Sequence, residues 1–231
     1  SGKYLLGSLI CSAFLLIGCQ DPRIEQLSEL QNACAEAKRV GNLDKALVLT
    51  RKIQTLDPNE VDHLDSLTKL YFRVGKFELA KVVADSALDL IPSKETLKIA
   101  IACAKQLKHY SKGEELIPLL FRLGEPESAD LIFDQAWFQY HAWHYAESIV
   151  SLERIVNNLN YRYSTRLEQV SINGQTQLVR MPLLAVCYNM MGASYYGLGE
   201  VELARTNFRK ALEIYPAYGA AKDNLGQLSI D

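Results

Sequence analysis

Residues 185–218 read AVCYNMMGASYYGLGEVELARTNFRKALEIYPAY, a stretch of 34 residues whose reading decides the fold. Apolar and small residues recur in it at helical rather than strand spacing, and Gly199 and Pro216 close two segments that are each long enough for a helix. Gly192 allows two helices to approach closely and Tyr195 packs between them. Gly199 ends the first helix, Ala204 sits at the tight crossing, and Phe208 with Ala211 seals the second helix before Pro216 stops it.

The same phrase recurs toward the N-terminus. Gly41-Asn-Leu-Asp-Lys-Ala46 and Gly75-Lys-Phe-Glu-Leu-Ala80 match Gly199-Glu-Val-Glu-Leu-Ala204, and both the first two glycines and the prolines Pro58 and Pro92 are 34 positions apart. This period resembles the tetratricopeptide repeat. The resemblance implies an all-α helical solenoid of about five helix-turn-helix repeats, at roughly 27–60, 61–93, 94–128, 129–162 and 185–218, closed by a capping helix within 219–231. Repeats three and four are degenerate: Gly113 and Ser148 keep the crossing small, but Lys108 and Trp143 stand where the other repeats place the interhelix glycine. Successive crossing residues are spaced by 34, 33, 35 and then 56, so an insertion of 22 residues falls at about 163–184. Within it Asn173-Gly174 separates two alternating segments, Val170–Ile172 and Gln175–Val179, which predicts a small inserted β-hairpin that protrudes from the solenoid.

Composition agrees with a helical globular chain and narrows its partners. Of 231 residues 48% are apolar and 23% charged, and 25 Lys+Arg against 27 Asp+Glu leave a net charge of −2. That balance lacks the basic excess of a nucleic-acid footprint, so no nucleic acid is expected. The turn-separated β-branched runs of a sandwich or barrel are also missing.

The N-terminus reads as an address. After Lys3 the run Tyr4–Ile17 carries no charge over 14 residues, too short for a comfortable bilayer span, and it ends in Leu16-Ile17-Gly18-Cys19. This ending resembles the bacterial lipobox. The resemblance implies a lipoprotein signal peptide over 1–18, lipidation of Cys19, a mature domain over 19–231 anchored to the membrane through its N-terminal lipid, and, with Gln20 rather than Asp after the Cys, the periplasmic face of a Gram-negative outer membrane.

In tetratricopeptide repeats the first helices line a concave face that binds peptides or protein surfaces. The inner positions implied by the resemblance give Gln31, Lys38 and Arg39 in repeat one, Asp62, Asp65, Lys69, Phe72 and Arg73 in repeat two, Lys98 and Lys105 in repeat three, Phe133, Trp137, Tyr140 and His141 in repeat four, and Asn189 and Tyr196 in repeat five. Such a groove is cationic in one half and aromatic in the other, suited to a segment with carboxylates at one end and apolar anchors at the other. The carboxylate clamp known in this family needs Lys and Asn where this chain has Gln31 and Ala35, so that mode is not expected.

His141 and His144, three apart, are two imidazoles without a third ligand nearby, and no metal or other cofactor is expected. Cys34, Cys103 and Cys187 remain after the signal and lipidated cysteines, at phases of first helices that fit core thiols. No nucleophile, phosphate-loop or dinucleotide motif occurs, so no enzyme is expected. In length and layout the chain resembles the short tetratricopeptide lipoproteins of Gram-negative envelopes: pilotins and the assembly lipoproteins of type IV or tight-adherence pili, the lipoprotein of the barrel-assembly machine, and a scaffold for peptidoglycan hydrolases. The implied function is a scaffold for protein partners in an envelope assembly, first among them a pilus or secretion system.

Overall fold

A computed structural model describes residues 22–58, 61–172 and 175–228. The lipobox and the hairpin's Asn173-Gly174 turn lie outside them. Among the described residues the chain is helical apart from one two-stranded antiparallel sheet, and no helix is long and apolar enough to cross a membrane.

The chain divides into two compact units at Pro58/Asn59. The first contains α1 (Pro22–Arg39) and α2 (Leu43–Leu56), a hairpin closed over Cys34, Ala37, Ala46, Leu47 and Ile53. The Asn42 side chain accepts from the Lys45 N–H and so caps α2. The second unit strings together α3 (Val61–Arg73), α4 (Phe77–Leu90), α5 (Lys94–Gln106), α6 (Tyr110–Arg122), α7 (Ala129–His141), α8 (Tyr145–Val156), α9 (Leu183–Gly197), α10 (Val201–Ile214) and α11 (Gly219–Gln227). Each helix packs on the next, and α3 also meets α5 while α9 meets α11, as repeated hairpins in register require.

The turns inside the repeats are built alike. After α1, α3, α5, α7 and α9 one residue adopts positive φ: Gly41 at 75°, Gly75 at 75°, Lys108 at 58°, Trp143 at 67° and Gly199 at 80°. In each, that residue's N–H and the next reach back to the helix, for example Trp143 N to Tyr140 O at 3.1 Å and His144 N to Gln139 O at 2.9 Å. This double closure is the Schellman arrangement, and it forms here with Lys and Trp as well as with Gly. The crossing residues Ala46, Ala80, Ser148 and Ala204 have no exposed surface, and the Ser148 hydroxyl donates to Ala136 O at 2.9 Å across the α7/α8 contact.

Between α8 and α9 a 3₁₀ turn at Leu159–Tyr161 leads into β1 (Thr165–Ile172), which pairs with β2 (Gln175–Pro182) in the register Leu167↔Arg180 and Gln169↔Leu178. The Leu183 N–H donates to Ser164 O at 2.9 Å and closes the base of the hairpin. The hairpin forms as expected, and its base is held on the helices. Met181 is fully buried and Val170 and Val179 pack on the core of α7–α11, while Gln175–Leu178 toward the tip stand exposed, as does Leu167. Alternation along both strands gives one inward face, and burying its apolar residues against the helices fixes the base of the hairpin.

Candidate functional site

Residues from both faces of β1, Leu167 and Gln169 as well as Arg166 and Glu168, join Leu178 of β2 and the first helices of repeats three to five around a hollow of about 560 Å³. Lys105 from α5, Trp137 and Tyr140 from α7, Asn189 and Met190 from α9, and Arg166 and Glu168 from β1 line it, with Tyr218 and Asn224 at the α11 end. Arg166 is the tether. Its guanidinium lies 4.3 Å from the Phe133 ring centroid, donates to Asp134 at 2.9 Å and Asp130 at 3.2 Å, and donates through Nε to Glu168 at 2.9 Å. Lys105 donates to the same Asp134 oxygen at 2.8 Å and holds its ammonium 5.1 Å from the centre of the Trp137 ring.

These contacts change the expected groove. Phe133 is 2% exposed beneath Arg166, so it belongs to the core and presents no anchor surface. Lys105 is matched by Asp134, and Lys98 by Glu125 at 2.8 Å. The cations named from the sequence are therefore largely answered within repeats three and four, while Lys69 and Arg73 stay exposed on α3. Phe72 packs edge-on against Phe77 at 5.4 Å, and Tyr196, 48% exposed, lies beyond the hollow. Trp137 and Tyr140 are the two aromatic candidates that remain at the hollow, half-buried.

Sequence reasoning missed Arg166, Glu168, Asp134, Tyr218 and Asn224. The alternation Arg166, Glu168, Val170 was the available signal, since it places two charges on the strand face that also carries an apolar residue. At the far end, Asn224 donates to the Asn189 side-chain oxygen at 3.0 Å, and Asn189 donates to the Tyr218 hydroxyl at 3.4 Å. Burial, reinforced by the Glu168 charge, pushes the Tyr218 phenol up to about 12, so it stays neutral while it accepts from Asn189.

His141 and His144 are held by neighbouring side chains. His141 stacks on Tyr110 at 4.8 Å and packs against Trp137, and burial together with the Lys108 charge lowers its pKa. His144 Nδ1 lies 2.8 Å from Glu114, so the two imidazoles serve different contacts. Among the described residues no group of three or more metal-ligating side chains occurs. Cys34, Cys103 and Cys187 are free and buried; burial pushes the Cys103 thiol up to about 11 and the Cys187 thiol up as well.

Residues 185–218 match the tetratricopeptide repeat family. The chain has a tetratricopeptide-repeat fold. It is similar in structure to YrrB, a tetratricopeptide protein with an unusual peptide-binding site, at a TM-score of 0.63 and 14% identity over 88% of this chain and 97% of that one. It is also similar to MamA, at a TM-score of 0.57 and 18% identity over 82% of this chain and 91% of that one. No curated protein matches the sequence.

Proposed function

We propose that this tetratricopeptide chain is a non-enzymatic adaptor, anchored through Cys19 to the periplasmic face of an outer membrane, that binds segments of protein partners during assembly of an envelope machine, first among them a pilus or secretion system. The observation that carries the binding role is the hollow between α7, α9 and β1. It offers two aromatic faces, a thioether and a chain of side-chain amides, the mixture of apolar contact and fixed polar groups that holds an extended segment in place. Gly18-Cys19 at the end of the uncharged run supports the anchor. The peptide-binding site named for YrrB supports the use of this fold for binding.

The test is cross-linked co-purification of the tagged chain from envelopes. Recovery of a secretin or pilus component is expected, with Trp137→Ala weakening the purified pair by about 2 kcal/mol or more and Asn189→Ala, a smaller change that leaves the ring packing intact, weakening it less. Recovery of a barrel-assembly subunit or a peptidoglycan hydrolase instead would move the adaptor to that machine. Equal binding by both variants would remove the hollow from the reading. Cys19→Ala is expected to abolish acyl labelling and shift the protein to the soluble fraction, and continued membrane retention would overturn the lipid anchor.

A further inference from the structure

Away from the groove, repeats three and four share a feature on the edge formed by the turns within the repeats. Six described residues have positive φ, and four of them are glycines. The other two, Lys108 and Trp143, occupy equivalent turns of adjacent repeats. A side chain in this conformation costs about 1–2 kcal/mol relative to the right-handed region. Nothing in the packing requires one there: a Cβ placed on Gly41, Gly75 or Gly199 would meet no atom within 4 Å. Neither side chain fills a core, since Lys108 is exposed and Trp143 is 77% exposed, the indole lying edge-on to Tyr145 at 6.1 Å between ring centres. Two conformational costs and one exposed indole thus fall together with no return inside the fold. Strain of this kind points to what the side chains meet outside it.

Lys108 and Trp143 line one open hollow of about 440 Å³ together with His109, Tyr110, Lys112 and His141. Its lining carries two ammonium groups and two imidazoles and no carboxylate. Of the acids close by, Glu114 pairs with His144 at 2.8 Å and Glu115 shares Lys112 at 3.9 Å, so Lys108 is the lining ammonium that has no acidic partner among the described residues. The other second helices each bring an acid into their first turn at the corresponding edge (Asp44, Glu78, Glu147 and Glu202), whereas α6 brings none. Tyr110 stacked on His141 makes a flat aromatic wall beside the positive charge.

We infer that the turn edge of repeats three and four is a docking surface, separate from the concave hollow, for an acidic protein segment that lays one apolar side chain against Trp143 and brings its carboxylates to Lys108 and Lys112. The surface is an open hollow with a cationic lining and an aromatic wall, a pairing of charge with apolar contact that suits an acidic peptide segment carrying one apolar side chain. This goes beyond the groove reading and stands whether or not that reading does.

The probe is a fluorescein-labelled nonapeptide of alternating Glu and Asp around a central Leu, titrated by anisotropy into the full chain. A Gln/Asn copy of the peptide and phosphatidylglycerol vesicles run beside it. Expected are salt-sensitive binding of the acidic peptide alone, a loss of about tenfold or more in Trp143→Gly, a smaller loss in Lys112→Ala, and no change in Asn189→Ala, whose side chain bonds Tyr218 and Asn224 at the concave hollow. The Trp143→Gly protein is also expected to melt higher than the parent, so that affinity and stability move in opposite directions and misfolding is excluded as the cause. No binding of the acidic peptide, equal binding by Trp143→Gly, equal binding of the Gln/Asn copy, or capture of vesicles in place of peptide would each overturn the inference.

Discussion

In repeat five, α9 offers Gly192 to the ring of Phe208 on α10, so close that a Cβ on that glycine would stand 2.6 Å from the ring. In the degenerate repeats the same ring-on-glycine contact is made, but by other partners. There the glycine is Gly113 on α6, the ring is Phe138 on α7, and the Cβ distance would be 2.1 Å. Repeat five makes one such approach inside the repeat and a second across its boundary, where a Cβ on Gly197 of α9 would stand 2.4 Å from the Tyr145 ring of α8; repeats three and four make theirs across the boundary between them. The comparison teaches that the fold requires a close approach at intervals along the stack and is indifferent to which pair of helices supplies it. This is how a repeat can lose its signature residues and keep its geometry.

The sharpest way to break the comparison is to fill both contacts. Gly113→Ala and Gly192→Ala, and Ala204→Leu at the crossing beside the second, are each expected to cost roughly 1–3 kcal/mol or more, because the Phe138 and Phe208 rings are enclosed and cannot retreat. Matching losses of melting temperature would show that the inherited and the displaced crossings are equally tight. An unchanged melting temperature in Gly113→Ala would show that the α6/α7 contact is looser than the geometry says.

A smaller effect separates the turns. Gly199→Ala is expected to lose about 1 kcal/mol, since alanine must enter the left-handed region with no compensating contact. Lys108→Gly is expected to gain up to about 1 kcal/mol, the relief of strain being partly offset by the greater freedom of glycine in the unfolded chain. Thermal melts of the two variants read the difference directly, and the same sign in both would refute the claim that Lys108 is strained. The least effect belongs to Lys76→Ala, in an exposed turn with no side-chain cap bond, at under about 0.5 kcal/mol. A loss as large as that of Ala204→Leu would mean the repeat phase is misread.

The helices and turns were legible because their signals are short-range. Gly41, Gly75 and Gly199 fall at positive φ and the small crossing residues fall at full burial, as spacing alone anticipated. Even Lys108 and Trp143, which lack the glycine, were placed at the right turns by counting from their neighbours. The groove was less legible. Counting put Phe133, Trp137, Tyr140 and His141 on one helix with inward phases, but a phase does not say what lies on top. Arg166 covers Phe133, and His141 turns toward Tyr110 and the recess at the turn edge rather than into the concave hollow.

What the sequence by itself determined is therefore the repeat: which segments are helical, where each pair turns, which positions must stay small, and where a hairpin interrupts the count. These follow from periodicity, from glycine and proline, and from the Asn-Gly pair, all of which act within a few residues of chain. Only the tertiary structure decided which charges remain available and which aromatics can be touched. Asp134 answers Lys105 from 29 residues away and Arg166 from 32, and the hairpin reaches the groove because its inward face gains more from Met181, Val170 and Val179 in the core than from water. Pairings at that separation depend on how whole elements are laid against one another, and no local pattern carries that information.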